Sequence, residues 1–376
     1  MIRPVHGGNL AWAAALAGCP ASAILDFSAS ISPLGPPESA LAAIQAHLSS
    51  LTAYPDPDYG ELRTALGEAL NVDPDWILPG NGSAELLTWA AWDLSKLEAT
   101  YLVTPAFGDY WRALSAFGAK VLKCPLELEL LDAEPRSGLV TDDLSVSNRS
   151  LVSPSFPLPV PLALDADRGL LLNNPHNPTG LLFGREAILP YVKQLGMVVV
   201  DEAFMDFLPP SEQETLIDAV EEFPNLVILR SLTKFYSLPG LRLGCAIAHP
   251  DILGRWQLLR DPWPVNALAA AAAAAVVRDT VFERQTWDWL PVARRELFEG
   301  LANLPGLQPF AGAANFLLVE SSMSVSLIQK SLLERHRILI RDCLSFPELG
   351  DRFFRVAVRS RADNLRLIAG LAEVIR

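Results

Sequence analysis

Of the chain's 376 residues only six are lysine, against 24 arginine, and only five are histidine and four cysteine. The cysteines (Cys19, Cys124, Cys245 and Cys343) stand far apart with no CxxC pair, and the histidines do not cluster. Neither a zinc site nor a disulfide framework is suggested, and a reducing, cytoplasmic setting fits. Positive charge is scarce overall: the formal net charge is −13 and the pI about 4.9. That balance argues against non-specific binding to nucleic acid or to an anionic membrane. An anionic ligand would need a local basic exception.

Long apolar runs are missing too. "ALAAAAAAAVV" (267 to 277) is too short to span a bilayer and too rich in alanine to prefer lipid, so it reads as a buried or interfacial helix. "LAWAAALAGC" (10 to 19) imitates a short export signal ending at a lipoprotein-like Cys19. A single arginine precedes it and His6-Gly7-Gly8-Asn9 interrupts the approach, so a short amphipathic helix is expected instead.

What is present is alternation. The length suggests about two domains. Short apolar runs, "DWILPG" (75 to 80), "TYLVTP" (100 to 105), "AKVLKCP" (119 to 125), "GLLLNNP" (169 to 175), "GMVVVDEA" (196 to 203), "NLVILRS" (225 to 231) and "LRLGCAIA" (241 to 248), are separated by longer helix-like segments. Most are wholly apolar, the pattern of strands covered by helices on both faces, which predicts an α/β fold with a mainly parallel sheet. After about residue 265 a long helical region (278 to 303) leads to "NFLLVE", "RILIRD" and "RFFRVAV", a smaller α+β texture. The first forty residues are too few for a core of their own. The division expected is a large domain over 41–265 and a small one over 1–40 and 266–376, with 126–163 irregular or a short crossing element.

Ligands of an open parallel sheet bind beyond the carboxyl ends of its strands. "GNGS" (80 to 83) is a glycine turn opening a helix, an anion site if its amides are free and otherwise a plain tight turn. Asp201 ends an apolar strand, where a carboxylate either caps the next helical turn or faces a cation. "NNPHNPTG" (173 to 180) presents three asparagines on a rigid turn. Lys234 stands between two apolar runs; a lysine with restricted solvent loses pKa and can condense with an aldehyde, and Arg242 offers a permanent charge for a phosphate. A solvated surface lysine is the plain alternative, but these features all fall at strand ends of one sheet.

Together "YPDPDYGELRTAL", "GNGSAEL", "PAFGDY", "NNPHNPTG", "DEAFMDF", "SLTKFYSLPGLRLG" and "FRVAVR" resemble, in order and spacing, the pyridoxal-phosphate enzymes of the aspartate aminotransferase type, nearest the threonine-phosphate decarboxylases and histidinol-phosphate aminotransferases. The resemblance covers nearly the whole chain and implies a mainly parallel seven-stranded sheet beside a smaller α+β domain. It implies that Lys234 holds the cofactor's aldehyde carbon and later moves a proton, Asp201 faces the pyridine nitrogen, Asn177 bonds the phenolic oxygen and Phe107 stacks on the ring. Gly82, Ser83, Ala84, Ser231 and Arg242 would hold the cofactor phosphate, joined by Tyr54 from a second copy, so a homodimer is expected. His6, Gly8, Ser32, Asn177, Arg341 and Arg355 would meet a small phosphorylated amino acid.

Two departures select among relatives. Phe204 stands in "DEAF" where the aminotransferases usually have tyrosine, and cannot donate to the phenolic oxygen. "HGGN" followed by "DFSASISPLGPP" (26 to 37) is similar to the start of the decarboxylases, with Ser30 and Ser32 in place of asparagines. Residues 335 to 366 hold eight arginines against four acidic residues and supply the basic exception. Arg355 and Arg359 would share one strand face, the latter with a solvated reading of its own. The expected activity is decarboxylation of L-threonine O-3-phosphate in cobalamin biosynthesis; the alternatives are histidinol-phosphate aminotransferase and a non-catalytic cofactor-binding protein.

Overall fold

A computed structural model describes residues 4, 6–127, 152–153, 158–161 and 165–375. Most of the stretch 126–163, expected to be irregular, lies outside the described residues; within it Val152–Ser153 pairs in parallel with Leu182–Phe183.

All seven apolar runs are strands of one sheet. Its order is Ile77–Gly80, Gly244–Ala248, Leu226–Ser231, Met197–Asp201, Arg168–Asn173, Ala99–Thr104, Val121–Pro125. Every pairing is parallel except those of Gly244–Ala248, which runs antiparallel to both neighbours. The central strands are buried throughout, because helices cover both faces and leave no polar side to alternate with. The register brings functional ends level. Asn173 lies opposite Asp201, while Gly244 lies opposite both Gly80 and Ser231.

A second, antiparallel sheet orders Leu307–Pro309, Phe316–Ser321, Phe353–Ala357 and Arg341–Asp342. Its register sets Arg341 opposite Arg355. The N-terminal segment is tied beside it, Leu25 pairing with Ile338 and Asp26 with Leu339 in parallel.

The run at 10 to 19 is the helix Leu10–Ala17, capped by Asn9, whose side chain accepts from the Trp12 N–H, and closed by Gly18 in the left-handed conformation; such a cap contributes about 1 kcal/mol. The polyalanine run is the helix Ala267–Val276, with Ala269, Ala272, Ala273 and Val276 fully buried. The helix Thr280–Ala302 comes next. Among the described residues no helix is long and apolar enough to cross a membrane, and no group of three or more His, Cys, Asp or Glu is placed to hold a metal ion.

Candidate active site

A cavity of about 320 Å³ opens beyond the carboxyl ends of the large sheet's strands. Side-chain alternation explains what faces it. Asp201 and Glu202 are adjacent and so point to opposite sides. Glu202 is 0 % exposed and turns away, to an ion pair with Arg230 at 3.0 Å and hydrogen bonds from the Thr215 hydroxyl and the Leu216 N–H. Asp201 turns into the cavity. Its Oδ2 accepts from the Tyr110 hydroxyl at 2.8 Å and its Oδ1 from the Ala203 N–H at 3.0 Å. Burial pushes its carboxyl up to about 6, and the two hydrogen bonds and the charge of Lys234 oppose that rise. At neutral pH it is therefore chiefly a carboxylate.

Lys234 sits in the short helix Leu232–Phe235 that succeeds the Leu226–Ser231 strand. Burial, with the positive charges of Arg355 and Arg242, lowers its ammonium to about 8, against the pull of Asp201. The amine is thus accessible in its neutral, nucleophilic form near physiological pH. The N-terminal segment braces this turn: the Ser32 N–H donates to the Lys234 carbonyl at 3.0 Å, and the Ser237 hydroxyl donates to the Ser32 carbonyl at 2.6 Å.

The turn at Gly82 brings a set of anion-binding groups to the cavity. Gly82 caps the helix Ser83–Leu94 with φ 76°, and no side chain caps that N-terminus. A Cβ on Gly82 would lie 2.4 Å from Arg242 Nη2, so only glycine lets the guanidinium close over the turn. Gly244 is needed for a similar reason, since a Cβ there would lie 2.7 Å from the Ser83 nitrogen. Ser231 is buried beside them, its hydroxyl 2.8 Å from that of Thr233. Open helix amides, a hydroxyl and the Arg242 guanidinium are donors of the kind that take an anionic group such as a phosphate.

On the facing wall Arg355 is buried, donates to Asn177 Oδ1 and, at 3.3 Å, to the Ser28 carbonyl, and lies 4.7 Å over the Phe316 ring. Burial, then the neighbouring Arg341, lowers it to about 10, leaving it a cation at neutral pH. Its Nε has no hydrogen-bond partner, nor have the buried Asn173 Oδ1 and Ser30 Oγ. These orphaned atoms line or adjoin the cavity, as expected of groups that pair with a ligand.

Ser83, Ala84, Phe107, Asn177, Asp201, Ser231, Lys234, Arg242, Arg355 and His6 all line this one cavity, and Gly82 abuts it through Arg242. Four expected residues stand elsewhere. Gly8 gives its N–H to the Ser28 hydroxyl, and its neighbour Gly7 takes the lining position. Ser32 contributes backbone bracing, while Ser30, two residues earlier, lines the cavity. Arg341 donates to the Ser345 hydroxyl at 2.6 Å, one strand from Arg355. Tyr54 is 79 % exposed and stacks on Trp263 at 4.3 Å. Arg359 lies beyond the strand Phe353–Ala357 and so does not share its face with Arg355; it is neither solvated nor at the cavity, pairing with Asp363 at 3.1 Å and with the Asp26 carbonyl. Sequence reasoning does not single out Tyr110 and Asn173, although "PAFGDY" and "NNPHNPTG" contain them. The signal available for Tyr110 is its spacing of one helical turn from Phe107.

Residues 22–371 match the family model described as aminotransferase class I and II. The chain belongs to that family. It is 37 % identical to the threonine-phosphate decarboxylase of Salmonella typhimurium over 100 % of this chain and 98 % of that protein. It is 28 % identical to histidinol-phosphate aminotransferase 2 of Ralstonia nicotianae, over 95 % of this chain and 90 % of that one. Its fold is shared by the crystal structure of histidinol-phosphate aminotransferase from Sinorhizobium meliloti in complex with pyridoxal-5'-phosphate, with TM-score 0.78, 23 % identity, and coverage of 100 % of this chain and 97 % of that chain.

Proposed function

We propose that this chain is a pyridoxal-phosphate enzyme that decarboxylates L-threonine O-3-phosphate to (R)-1-amino-2-propanol O-2-phosphate, a step of cobalamin biosynthesis. The observation that carries the reading is one cavity holding a lowered lysine, a buried carboxylate and two arginines, Arg242 and Arg355. Full-length identity of 37 % to a threonine-phosphate decarboxylase supports the choice of reaction.

The residues fit pyridoxal phosphate. Gly82, Ser83, Ala84, Ser231 and Arg242 would hold its phosphate, Phe107 would cover the ring, Asp201 would keep positive charge on the ring nitrogen and Asn177 would meet the phenolic oxygen. When bound, the cofactor supplies the electron sink for a bond broken at Cα. Lys234 Nζ would anchor it between turnovers and would deliver the proton that takes the place of the departing carboxylate. Arg355, with Arg341 behind it, binds the anionic groups of the substrate, and His6 and Ser30 close the opposite rim. Arg355, by fixing the substrate's anionic groups, would decide which bond at Cα is presented for breaking, and so would favour loss of carbon dioxide. Phe204, buried against Phe316 in the cavity wall, offers no hydroxyl where an aminotransferase tyrosine would donate.

Tyr54 stands exposed on its own chain, and we assign it to the cofactor phosphate of a second copy in a homodimer. The deciding assay is carbon dioxide release from cofactor-loaded protein given L-threonine O-3-phosphate with no keto acid. Stoichiometric release with aminopropanol phosphate is expected. No release, together with glutamate formation from histidinol phosphate and 2-oxoglutarate, would replace this reading with the aminotransferase.

A further inference from the structure

We propose that Tyr110 is the positioning residue of the cofactor's ring-nitrogen contact: its phenol holds Asp201 in place as an ionised carboxylate. The inference rests on the pyridoxal-phosphate reading above.

The geometry is built for one task. Tyr110 lies on the helix Gly108–Ala116, one turn beyond Phe107, and the two rings meet edge to face at 5.7 Å and 87°. Phe107 thereby covers the cavity while the Tyr110 hydroxyl reaches beneath it to Asp201 Oδ2 at 2.8 Å. The phenol is buried, and the carboxylate accepts its one hydrogen bond. The Ala203 N–H fixes the other oxygen of Asp201, so both oxygens have a donor and the carboxyl plane is set.

The charged groups facing Asp201 are few. From the same helix as Tyr110 comes Asp109, which disfavours the carboxylate and is itself engaged by Arg112. From the Lys234 turn comes the ammonium, which favours it. Tyr110 and the Ala203 amide are the hydrogen-bond donors that the chain itself gives Asp201, and both favour its carboxylate whatever the charge on Lys234. Tyr110 resists ionisation, because burial and the Asp201 charge both hold its proton, so the donor persists across the working pH range.

The test reads cofactor binding and does not depend on turnover. Apo-protein is titrated with pyridoxal 5'-phosphate across pH, in wild type, Y110F, D201N and the double variant. Y110F keeps the ring and its packing and loses only the donor. It should weaken affinity about tenfold or more, the scale of a hydrogen bond to a charged group. The pH at which affinity is half lost on acidification should move upward. In the D201N background the same change should cost about twofold or less, since the carboxylate it serves is gone. Should Y110F fail to fold, fluorotyrosine at position 110, a stronger donor of nearly the same shape, should move that pH downward. Unchanged affinity and midpoint in Y110F, an equal loss in the D201N background, or a fluorotyrosine protein titrating like wild type would overturn the proposal. Absence of carbon dioxide release from wild type would bear on the substrate reading alone.

Discussion

Replacing Arg355 with methionine separates the two anion sites of the cavity. Arg355 is 8 % exposed, so its charge is largely withdrawn from water, and without substrate it is held by Asn177 Oδ1 and the Ser28 carbonyl. A substrate carboxylate or phosphate meeting it would form a desolvated ion pair, and truncating one partner of such a pair costs roughly 2 to 5 kcal/mol. At about 1.4 kcal/mol per tenfold, the variant should bind L-threonine O-3-phosphate weaker by a factor on the order of 30 to 3,000. The folded chain should lose far less, because methionine fills similar volume and removes the repulsion Arg355 shares with Arg341. Lys234 gives a second readout. Arg355 is the largest electrostatic cause, after burial, of its lowered ammonium, so in apo R355M that group should titrate above its present value of about 8. Isothermal titration with substrate and with pyridoxal phosphate decides the matter, using R242M as the mirror case. R355M should spare cofactor affinity within about tenfold while R242M should not. Equal loss of both ligands in R355M would refute the assignment of Arg355 to the substrate.

The remaining expectations rest on single contacts. Gly82→Ala forces a positive-φ turn onto alanine and drives its methyl into Arg242, so cofactor affinity should fall about tenfold or more while circular dichroism stays native. Lys234→Met should abolish turnover and alter the pH dependence of apo-protein stability. The folded lysine titrates near 8 and an unfolded one near 10.5, so between those values the unfolded chain binds more protons and wild-type stability gains from rising pH, a gain the variant lacks in urea unfolding. Glu202→Ala leaves Arg230 buried with Asp206 and Thr215 but without its second carboxylate, and should cost about 3 to 5 kcal/mol in the same assay; a loss below about 1 kcal/mol would mean that water replaces the pair.

Much of the fold was legible because burial on both faces writes itself into sequence as unbroken apolar runs, and each of "GLLLNN", "GMVVVD" and "NLVILRS" became a strand of the large sheet. The candidate site was legible to the extent that its residues end those strands: Asp201, Ser231, Lys234 and the turn at Gly82 needed only the rule that ligands gather at carboxyl ends. Residues brought in by other elements were harder to see. Ser30 and Ser32 are the same residue type two positions apart in a segment without regular secondary structure. Which of them meets the cavity depends on how the N-terminal segment lies against the Lys234 turn, a contact across some two hundred positions of sequence.

By itself, then, the sequence determined an α/β sheet, the chemistry of Lys234 and Asp201 as residue types, and a basic C-terminal region in an acidic chain. Tertiary structure decided which groups act on each other. It set Asp201 and Glu202 to opposite sides, one to the cavity and one to Arg230, and it put the Tyr110 phenol under Asp201. It also divided the arginines, Arg355 to the cavity and Arg359 to Asp363. The physical reason is that local pattern fixes periodicity and burial, whereas hydrogen bonds and pKa values depend on distances between groups that only packing brings within reach.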